Sequence, residues 1–251
     1  MRLKNKVAIV TGGGAGIGEA IALRYAQEGA RVVVAEITPA RGQSTVQAIQ
    51  KLGSEAVFVQ TDVSSEPQVK ALIETTLQRF ERIDILVNNA AVLISYETRA
   101  HELSNEEWDR TINVNLRGYW LCSKYAIPSM MSQGSGTILF IASRTGLRGF
   151  AGLAAYSASK GGVLALMRSM AADYAPDGIR VNAIVPGTMD TPMNAKEFSD
   201  PEARDKYIPR IPARRLGVGS DIAGMATFLA TEESSFCVGG LYFVDGGADL
   251  G

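Results

Sequence analysis

Short runs of apolar residues alternate with longer amphipathic stretches along almost the whole chain. The runs are rich in Val, Ile and Leu, as in VAIVT at 7–11 and RVVVAE at 31–36. Between the runs, apolar residues recur at the three- and four-residue spacing of one helix face. This pattern predicts strands at 7–11, 31–36, 56–59, 83–87, 137–142, 179–185 and 241–244. It predicts helices at 20–29, 39–52, 65–80, 104–132, 154–175 and 220–230.

Continuous apolar runs are typical of strands that are buried on both faces, as in a parallel sheet. The alternation therefore predicts an α/β fold: a single doubly wound Rossmann-type domain, with about seven parallel strands and helices on both faces of the sheet. No repeat or linker interrupts it, so residues 1–251 are interpreted as one domain. Residues 188–219 are irregular and rich in proline and charge. A loop of that length is usually a lid or a binding segment, here expected to bind substrate.

Three helix starts carry recognisable capping residues. Ser104 is followed three residues later by Glu107, which predicts a capping box. Ser65 is expected to cap the helix that follows it, and Ser220 with Asp221 is expected to begin the last helix.

Composition excludes several classes of protein. The chain has 25 Lys plus Arg against 26 Asp plus Glu, so a net charge of −1 gives no basic surplus for nucleic acid. Two isolated cysteines, Cys122 and Cys237, form no disulfide framework and fit a reducing cytoplasm. A single histidine, His101, argues against a metal site. The start of the chain has no signal-peptide core, and no apolar run reaches the ~20 residues that span a bilayer. A cytoplasmic protein without a membrane partner is expected.

A glycine-rich turn separates the first strand from the first helix. Its spacing is Gly12-x3-Gly16-x-Gly18, which departs from the general G-x-G-x-x-G fingerprint. Such a turn lets backbone N–H groups approach a pyrophosphate at a helix N-terminus, although tight packing alone would also explain it. Glu36 ends the next strand, where an acid can accept hydrogen bonds from the adenosine ribose of a dinucleotide. The alternative for Glu36 is an ordinary surface carboxylate.

Tyr156 and Lys160 lie four residues apart, one turn from each other on the same helix face. A tyrosine has a pKa of about 10, and a nearby ammonium group favours the phenolate. The pair could therefore act as a general acid/base, but two residues on a solvated helix face would show the same spacing.

Taken together, the motifs resemble those of the short-chain dehydrogenase/reductase family, from about residue 5 to residue 247. The resemblance depends on several independent matches in order. They are TGGGAGIG at 11–18, Asp62-Val63, NNAA at 88–91, Asn115, Ser143, YSASK at 156–160, Asn182, Pro186-Gly187 and Thr191.

The resemblance implies a catalytic role for four residues. Tyr156 would exchange a proton with the substrate oxygen, and Lys160 would lower the pKa of Tyr156 and hold the nicotinamide ribose. Ser143 would hydrogen-bond the substrate oxygen. Asn115 would anchor a water that links Lys160 to solvent; a place on a solvated helix face is the alternative.

It also implies the cofactor contacts. Asp62 and Val63 would meet the adenine, Asn89 and Ala90 a ribose, and Thr191 the nicotinamide amide. The full set of expected cofactor-binding residues is Gly12, Gly16, Ile17, Gly18, Glu36, Asp62, Val63, Asn89, Ala90, Tyr156, Lys160, Pro186, Gly187, Met189 and Thr191.

The same positions bear on which cofactor is used. Family members that use NADP usually place a basic residue where this chain has Ala15 or Ile37. With Glu36 also present, NAD is favoured over NADP. Arg41 is close enough in sequence to keep NADP open.

The substrate is expected to be a small alcohol or ketone held by Ser143, Arg144, Leu153 and Tyr156. Arg144 directly follows Ser143, and its guanidinium could bind an anionic group of the substrate. It could instead pair with a nearby acid or reach a neighbouring subunit. By resemblance, helices 104–132 and 154–175 would pair across a two-fold axis in a homotetramer.

The sequence therefore predicts an NAD-dependent oxidoreductase that transfers a hydride between nicotinamide and a secondary alcohol or ketone. An alternative is a catalytically silent protein that senses NAD(H), but such proteins tend to lose the catalytic Tyr or Lys. A scaffolding module has only the oligomer helices in its favour.

Overall fold

A computed structural model describes residues 1–250, apart from the side chains of Lys196 and Ala203. Within this range one sheet of seven strands runs through the molecule in the order β3-β2-β1-β4-β5-β6-β7, and every neighbouring pair is parallel. The strands are β1 Val7–Thr11, β2 Arg31–Glu36, β3 Ala56–Gln60, β4 Ile85–Asn88, β5 Gly136–Ile141, β6 Ile179–Pro186 and β7 Leu241–Val244. The predicted Rossmann-type sheet is confirmed, with strand ends that shift by at most two residues.

Helices cover both faces of this sheet. Those that follow a strand begin near its carboxyl end and return the chain to the opposite edge, as parallel pairing requires. The α-helices of the described range are α1 Gly16–Gln27, α2 Pro39–Lys51, α3 Glu66–Phe80, α4 Asn105–Ile112, α5 Gly118–Gln133, α6 Ala154–Tyr174, α7 Ala195–Phe198, α8 Pro201–Tyr207 and α9 Gly219–Ala230.

Successive residues of a strand point to opposite faces, so each strand contributes to two separate apolar layers. In β1, Val7 and Ile9 pack in the layer that also contains residues of α3, α5 and α6. Ala8 and Val10 pack in the other layer, with residues of α1, α2 and α9. Burial on both faces explains why these strands have no alternating polar positions.

The order of the strands reverses between β1 and β4. The chain builds β1, β2 and β3 toward one edge, then crosses through α3 and builds β4 to β7 toward the other. The connections that leave the carboxyl ends of β1 and β4 therefore run in opposite directions and leave a crevice, which is where ligands bind in open α/β sheets.

The helix predicted at 104–132 is interrupted. The chain forms α4, then a π-helical turn at Asn113–Arg117, then α5. Its capping box is present, since the Ser104 hydroxyl accepts from the Glu107 N–H at 3.2 Å and the Glu107 carboxylate accepts from the Ser104 N–H at 3.3 Å. In the π turn the Gly118 N–H donates to the Asn113 carbonyl, five residues back. Periodicity cannot reveal one extra residue in a turn.

Two smaller predictions were wrong. Residues 188–219 are not an irregular loop, because they contain α7, α8 and two 3-10 turns. The Ser65 side chain makes no capping bond. The last helix begins one residue before its predicted start, at Gly219, and the Asp221 carboxylate accepts from the Val218 N–H there at 2.8 Å. We call residues 188–219 the lid below.

Within residues 1–250, no helix is both long enough and apolar enough to cross a bilayer. The same range holds no group of three or more His, Cys, Asp or Glu side chains arranged to bind a metal ion.

Candidate active site

The predicted site residues gather at the carboxyl edge of the sheet, around the crevice between β1 and β4. The glycine loop follows β1 and Asn89 follows β4. Ser143 follows β5 by two residues, and Gly187 follows β6 directly. Tyr156 lies in the first turn of α6. Parallel strands thus bring together residues that are far apart in sequence.

Gly12, Gly16 and Gly18 each occupy a position in this loop that disfavours a side chain. Gly12 and Gly16 adopt φ values of +61° and +57°, which L-residues rarely adopt. A Cβ on Gly12 would lie 2.9 Å from the Ala90 Cα, and one on Gly18 would lie 2.2 Å from the Gly12 carbonyl oxygen. Ala15, the N-cap residue of α1, has no side chain that can accept a hydrogen bond. The first N–H groups of that helix therefore face the loop without a side-chain acceptor.

A clamp formed by Thr11 and Asn89 holds this loop. The Thr11 hydroxyl accepts from the backbone N–H groups of Asn89 and Ala90, at 2.9 and 3.1 Å. The Asn89 amide nitrogen donates to the carbonyl oxygens of Thr11 and Gly12, at 2.9 and 3.2 Å. Asn89, expected to line a ribose, therefore has its amide nitrogen engaged in fixing the turn.

Glu36 is buried at the end of β2, with 7% of its surface exposed. Its carboxylate accepts from the Gly14 N–H at 3.2 Å and from the Thr38 N–H at 3.0 Å. A Cβ on Gly14 would lie 2.7 Å from the Glu36 Cγ and 2.8 Å from the Arg41 Cβ. Glu36 is therefore not an ordinary surface carboxylate. Glu36 and Arg41, an acid and a base, flank the same corner of the loop.

Asp62 and Val63 follow β3. The Asp62 carboxylate accepts from the Ser64 N–H at 2.9 Å and from the Ser64 hydroxyl at 2.6 Å. Val63 is buried against Gly118, where an added Cβ would lie 2.8 Å from the Val63 Cγ2. These contacts fix both residues at the sheet edge, beside the start of α5.

Ser143 and Tyr156 face each other across the site. The Ser143 hydroxyl accepts from the Thr145 N–H at 3.2 Å and from the Thr145 hydroxyl at 3.0 Å, which orients it. Burial raises the pKa of Tyr156 to about 12, the Ser143 hydroxyl works in the opposite direction, and Tyr96 raises the pKa further. The Tyr156 side chain is therefore a neutral phenol at physiological pH.

Lys160 lies one turn further along α6 and is 1% exposed. Its Nζ donates to the Ile141 carbonyl at 2.8 Å and to the Tyr119 hydroxyl at 3.2 Å. Burial lowers the pKa of Lys160 from 10.5 to about 7, because a charged amine loses its hydration in the core.

The expected effect of Lys160 on Tyr156 is not seen in this structure. The Nζ lies 5.7 Å from the centre of the Tyr156 ring and makes its hydrogen bonds to Tyr119 and Ile141. Burial therefore dominates, and the pKa of Tyr156 lies above its ordinary value rather than below it.

Tyr119 is a site residue that sequence reasoning missed. It is fully buried in α5, and its hydroxyl donates to the Ile141 carbonyl at 3.1 Å while accepting from Lys160. No motif marks it. The only available signal was its position one turn after Asn115, which places both residues on the same helix face.

Asn115 is fully buried within the π turn, so the solvated-face alternative is excluded. Its side chain accepts from the Val92 N–H at 2.8 Å and donates to the Val92 carbonyl at 2.9 Å. It also donates to the Ser159 hydroxyl at 3.2 Å. Asn115 thereby joins the segment after β4 to α6, at Ser159, which directly precedes Lys160. The predicted water relay stays a prediction.

An apolar cleft adjoins Tyr156. It is lined mainly by Leu93, Ile94, Leu103, Leu153 and Ala154.

One side of this cleft is joined to the lid by Tyr96, which was also missed. The Tyr96 hydroxyl donates to the Met193 carbonyl at 3.0 Å. Burial raises the pKa of Tyr96, and Glu197 raises it further. Tyr96 lies seven residues after Asn89, in a segment without a recognised motif. Its position in the sequence therefore did not indicate a role in the site.

The lid begins next to the glycine loop. Met189 is buried, and its carbonyl accepts from the Asn194 side chain at 2.9 Å. Thr191 lies over Gly16, where an added Cβ would be 3.5 Å from the Thr191 Cβ. Gly187 passes so close to Asp245 that a Cβ would lie 2.6 Å from the Asp245 Cα. Pro186 and Gly187 thus carry the chain from β6 into the lid.

Arg144 is engaged within the chain. Its guanidinium donates to the Ala248 carbonyl at 2.9 Å and to the Thr188 hydroxyl at 3.3 Å, and lies 5.9 Å from the centre of the Phe150 ring. The alternative that Arg144 pairs with a nearby acid is not among these contacts, since both hydrogen-bond acceptors are neutral oxygens.

The chain is similar to known proteins over nearly its whole length. A family model described as enoyl-(acyl carrier protein) reductase matches residues 12–249. The 3-oxoacyl-(acyl-carrier-protein) reductase FabG of Thermotoga maritima is 37% identical over 247 residues, covering 98% of this chain and 99% of the relative. The 2-(R)-hydroxypropyl-CoM dehydrogenase of Xanthobacter autotrophicus is 38% identical over 244 residues, covering 96% of this chain and 98% of the relative.

A solved structure is similar over the whole fold. It is a candidate NAD(P)-dependent gluconate 5-dehydrogenase of Beutenbergia cavernae, with NADP bound at low occupancy. The two chains share 35% identity and superpose with a TM-score of 0.93, covering 99% of this chain and 98% of the other.

The buried lysine predicts a pH-dependent stability. The pKa of Lys160 is about 7 in the folded protein and 10.5 when unperturbed, so between these values the unfolded chain binds more protons. The free energy of unfolding should therefore rise with pH across this window, by on the order of a few kcal/mol. Below pH 7 both states are protonated, and the cost of burying the charge is fully present.

Urea unfolding of wild type and Lys160→Met at several pH values between 6 and 10 measures this effect. The stability of wild type relative to the variant should increase with pH. Lys51→Met removes an exposed lysine of α2 and should leave the pH dependence unchanged. Parallel curves for wild type and Lys160→Met would show that Lys160 is not desolvated.

Proposed function

The chain belongs to the short-chain dehydrogenase/reductase family, and we propose that it is an NAD-dependent enzyme that interconverts a secondary alcohol and a ketone. The observation that carries this proposal is the meeting of Ser143, Tyr156 and Lys160 at the sheet edge beside the glycine loop. Side chains that can hold and move a proton lie next to a cradle that fits a dinucleotide.

The cradle fits the pyrophosphate of a dinucleotide because side chains are excluded where its backbone must approach closely. Gly12, Gly16 and Gly18 leave that space, and the N-terminus of α1 presents N–H groups and favourable partial charge. Glu36 would hold the adenosine ribose and Asp62 the adenine. When bound, the nicotinamide cofactor supplies or accepts the hydride.

Tyr156 handles the proton of the reaction. For ketone reduction, the neutral phenol gives its proton to the carbonyl oxygen as that oxygen gains negative charge. For alcohol oxidation, the phenolate oxygen accepts the hydroxyl proton. Ser143 donates a hydrogen bond to the same substrate oxygen and stabilises the charge that develops there. The raised pKa of Tyr156 in the free protein favours the acid form.

In its protonated form Lys160 would supply positive charge near Tyr156, and it would donate a hydrogen bond to the nicotinamide ribose. Its position is set by Tyr119 and the Ile141 carbonyl, and the neighbouring Ser159 is tied to Asn115. The proposed water at Asn115 would connect Lys160 with solvent and restore its proton between turnovers.

The cleft beside Tyr156 suggests the substrate class. Leu93, Ile94, Leu103 and Leu153 give it apolar walls, which suit a hydrocarbon substituent next to the reacting carbon. We therefore propose a small alcohol or ketone with at least one apolar side.

NAD is the proposed cofactor. The buried Glu36 carboxylate would face a 2′-phosphate with like charge, and Ala15 and Ile37 provide no compensating cation. Arg41 borders the same corner, and one relative binds NADP, so this preference needs its own test.

A homotetramer in the cytoplasm completes the proposal. Trp108 and Trp120 are each 41% exposed on α4 and α5, which suits helices that pair with a second copy. A sedimentation mass of four chains would support this, and a monomer would contradict it. Both cysteines are free, as expected in a reducing compartment.

Tyr156→Phe tests the catalytic proposal. Loss of the acid/base should lower kcat about 10²- to 10⁴-fold. Binding of NADH, followed by its fluorescence, should be retained. The assay is NADH formation or consumption on a panel of neutral secondary alcohols and ketones.

Tyr174→Phe, at the end of α6, is the matched control and should keep full activity. Wild-type rates in Tyr156→Phe would remove Tyr156 from the mechanism. If wild type turns over no substrate but binds NADH tightly, the NAD(H)-sensing alternative replaces the proposal.

A second variant tests the cofactor preference. Glu36→Gln with Ile37→Arg removes the acidic charge and adds a base. The amide oxygen can replace only one of the two carboxylate oxygens that accept from the Gly14 and Thr38 N–H groups. The ratio of kcat/KM for NADP over NAD should rise about tenfold or more, as a charge-assisted contact replaces repulsion. Ile37→Arg alone is the control and should give a smaller gain. A wild type that already prefers NADP would refute the preference.

A further inference from the structure

Residues 245–250, which we call the strap, lie against the segment that follows Ser143. Arg144 donates to the Ala248 carbonyl at 2.9 Å. Arg148, one turn later, donates to the Asp249 carbonyl at 2.6 Å and pairs with the Asp249 carboxylate at 2.9 Å. Two guanidinium groups from one short segment therefore hold two consecutive residues of the strap.

The strap also contacts the lid. The Ala213 N–H donates to the Gly246 carbonyl at 2.9 Å, and Gly247 packs on Pro212, where an added Cβ would lie 3.1 Å from the Pro212 Cβ. Through the strap, the lid is therefore connected to the segment that carries Ser143.

Thr188 adds a second connection between the same parts. Its hydroxyl accepts from Arg144 at 3.3 Å and hydrogen-bonds the Tyr207 hydroxyl of α8 at 2.6 Å. Tyr207 packs edge-on against Phe198 of α7, with ring centres 5.3 Å apart. Arg144 thus contacts the strap directly and both lid helices through Thr188 and Tyr207.

The acceptors of Arg144 decide what this arrangement does to a substrate. Both are neutral oxygens, whereas a carboxylate or phosphate would bind a guanidinium more strongly. An anionic group beside the reacting carbon would have to compete with the Ala248 carbonyl and the Thr188 hydroxyl for the Arg144 guanidinium. Displacing the Ala248 carbonyl would also break a bond between the strap and the segment that carries Ser143.

We propose that the strap is a specificity element: it occupies Arg144, holds the lid to the catalytic segment, and so disfavours substrates that carry an anionic group next to the reacting carbon. The specificity part rests on the proposed function. From its position in the sequence, Arg144 is a candidate for binding an anionic group of the substrate. In this proposal the strap suppresses that role.

Deletion of residues 248–251 tests the blocking of Arg144. Calorimetry with benzoate as the probe should show about tenfold tighter binding to the deletion protein than to wild type, since a charge-assisted acceptor can replace the lost carbonyl. Benzyl alcohol, an uncharged analogue of benzoate, is the control ligand and should bind both proteins with equal affinity. Equal benzoate affinity in both would overturn the blocking role.

Hydrogen exchange tests the link to the lid. Peptides that cover 198–213 should exchange about tenfold faster in the deletion protein and in Arg148→Ala, because charge-assisted bonds are lost. Arg79→Ala is the matched control, since Arg79 pairs with Glu55 at 2.7 Å on an exposed surface, and it should leave the lid unchanged. Unchanged lid exchange in both test variants would overturn the link.

Two safeguards keep these outcomes distinct. Should the deletion protein fail to fold by circular dichroism, Arg148→Ala and Asp249→Asn decide both questions with the same probes. Should wild type turn over no alcohol, the proposed function fails, but benzoate binding and lid exchange still decide what the strap does.

Discussion

The arrangement of this site depends on the buried amine of Lys160. Lys160 has almost no contact with solvent, and a charge removed from water is costly unless oxygen atoms surround it. The Ile141 carbonyl at the end of β5 and the Tyr119 hydroxyl from α5 provide those atoms. Because β5, α5 and α6 must each deliver a group to one point, the packing of this layer and the position of Lys160 are mutually dependent.

A chain of hydrogen bonds connects that point with the glycine loop. Asn115 joins Ser159, beside Lys160, to Val92 in the segment after β4. A few residues earlier in that segment, Asn89 holds the turn that follows β1. The proton-handling end and the dinucleotide cradle are therefore built on one continuous set of contacts. The crevice where the strand order reverses is the place where such contacts can converge.

Much of this could be predicted from the sequence because it has a local signature. Continuous apolar runs revealed the buried strands, and four-residue spacing placed Tyr156 and Lys160 on one helix face. The remaining features depend on tertiary contacts. The π turn at Asn113–Arg117 adds one residue that periodicity does not register. Tyr119 resembles any core aromatic, and only the fold shows its hydroxyl at Lys160. Arg144 was noticed, but its partner Ala248 lies 104 residues away.

Burial, rather than Lys160, sets the protonation state of Tyr156 in the free protein. Carbon-13 NMR of protein labelled at the tyrosine Cζ, titrated by pH and assigned with Tyr156→Phe, measures that state directly. The Tyr156 signal should still report a phenol at pH 10.5, in keeping with a pKa of about 12. A Tyr156 that titrates below pH 10 in the free protein would contradict it.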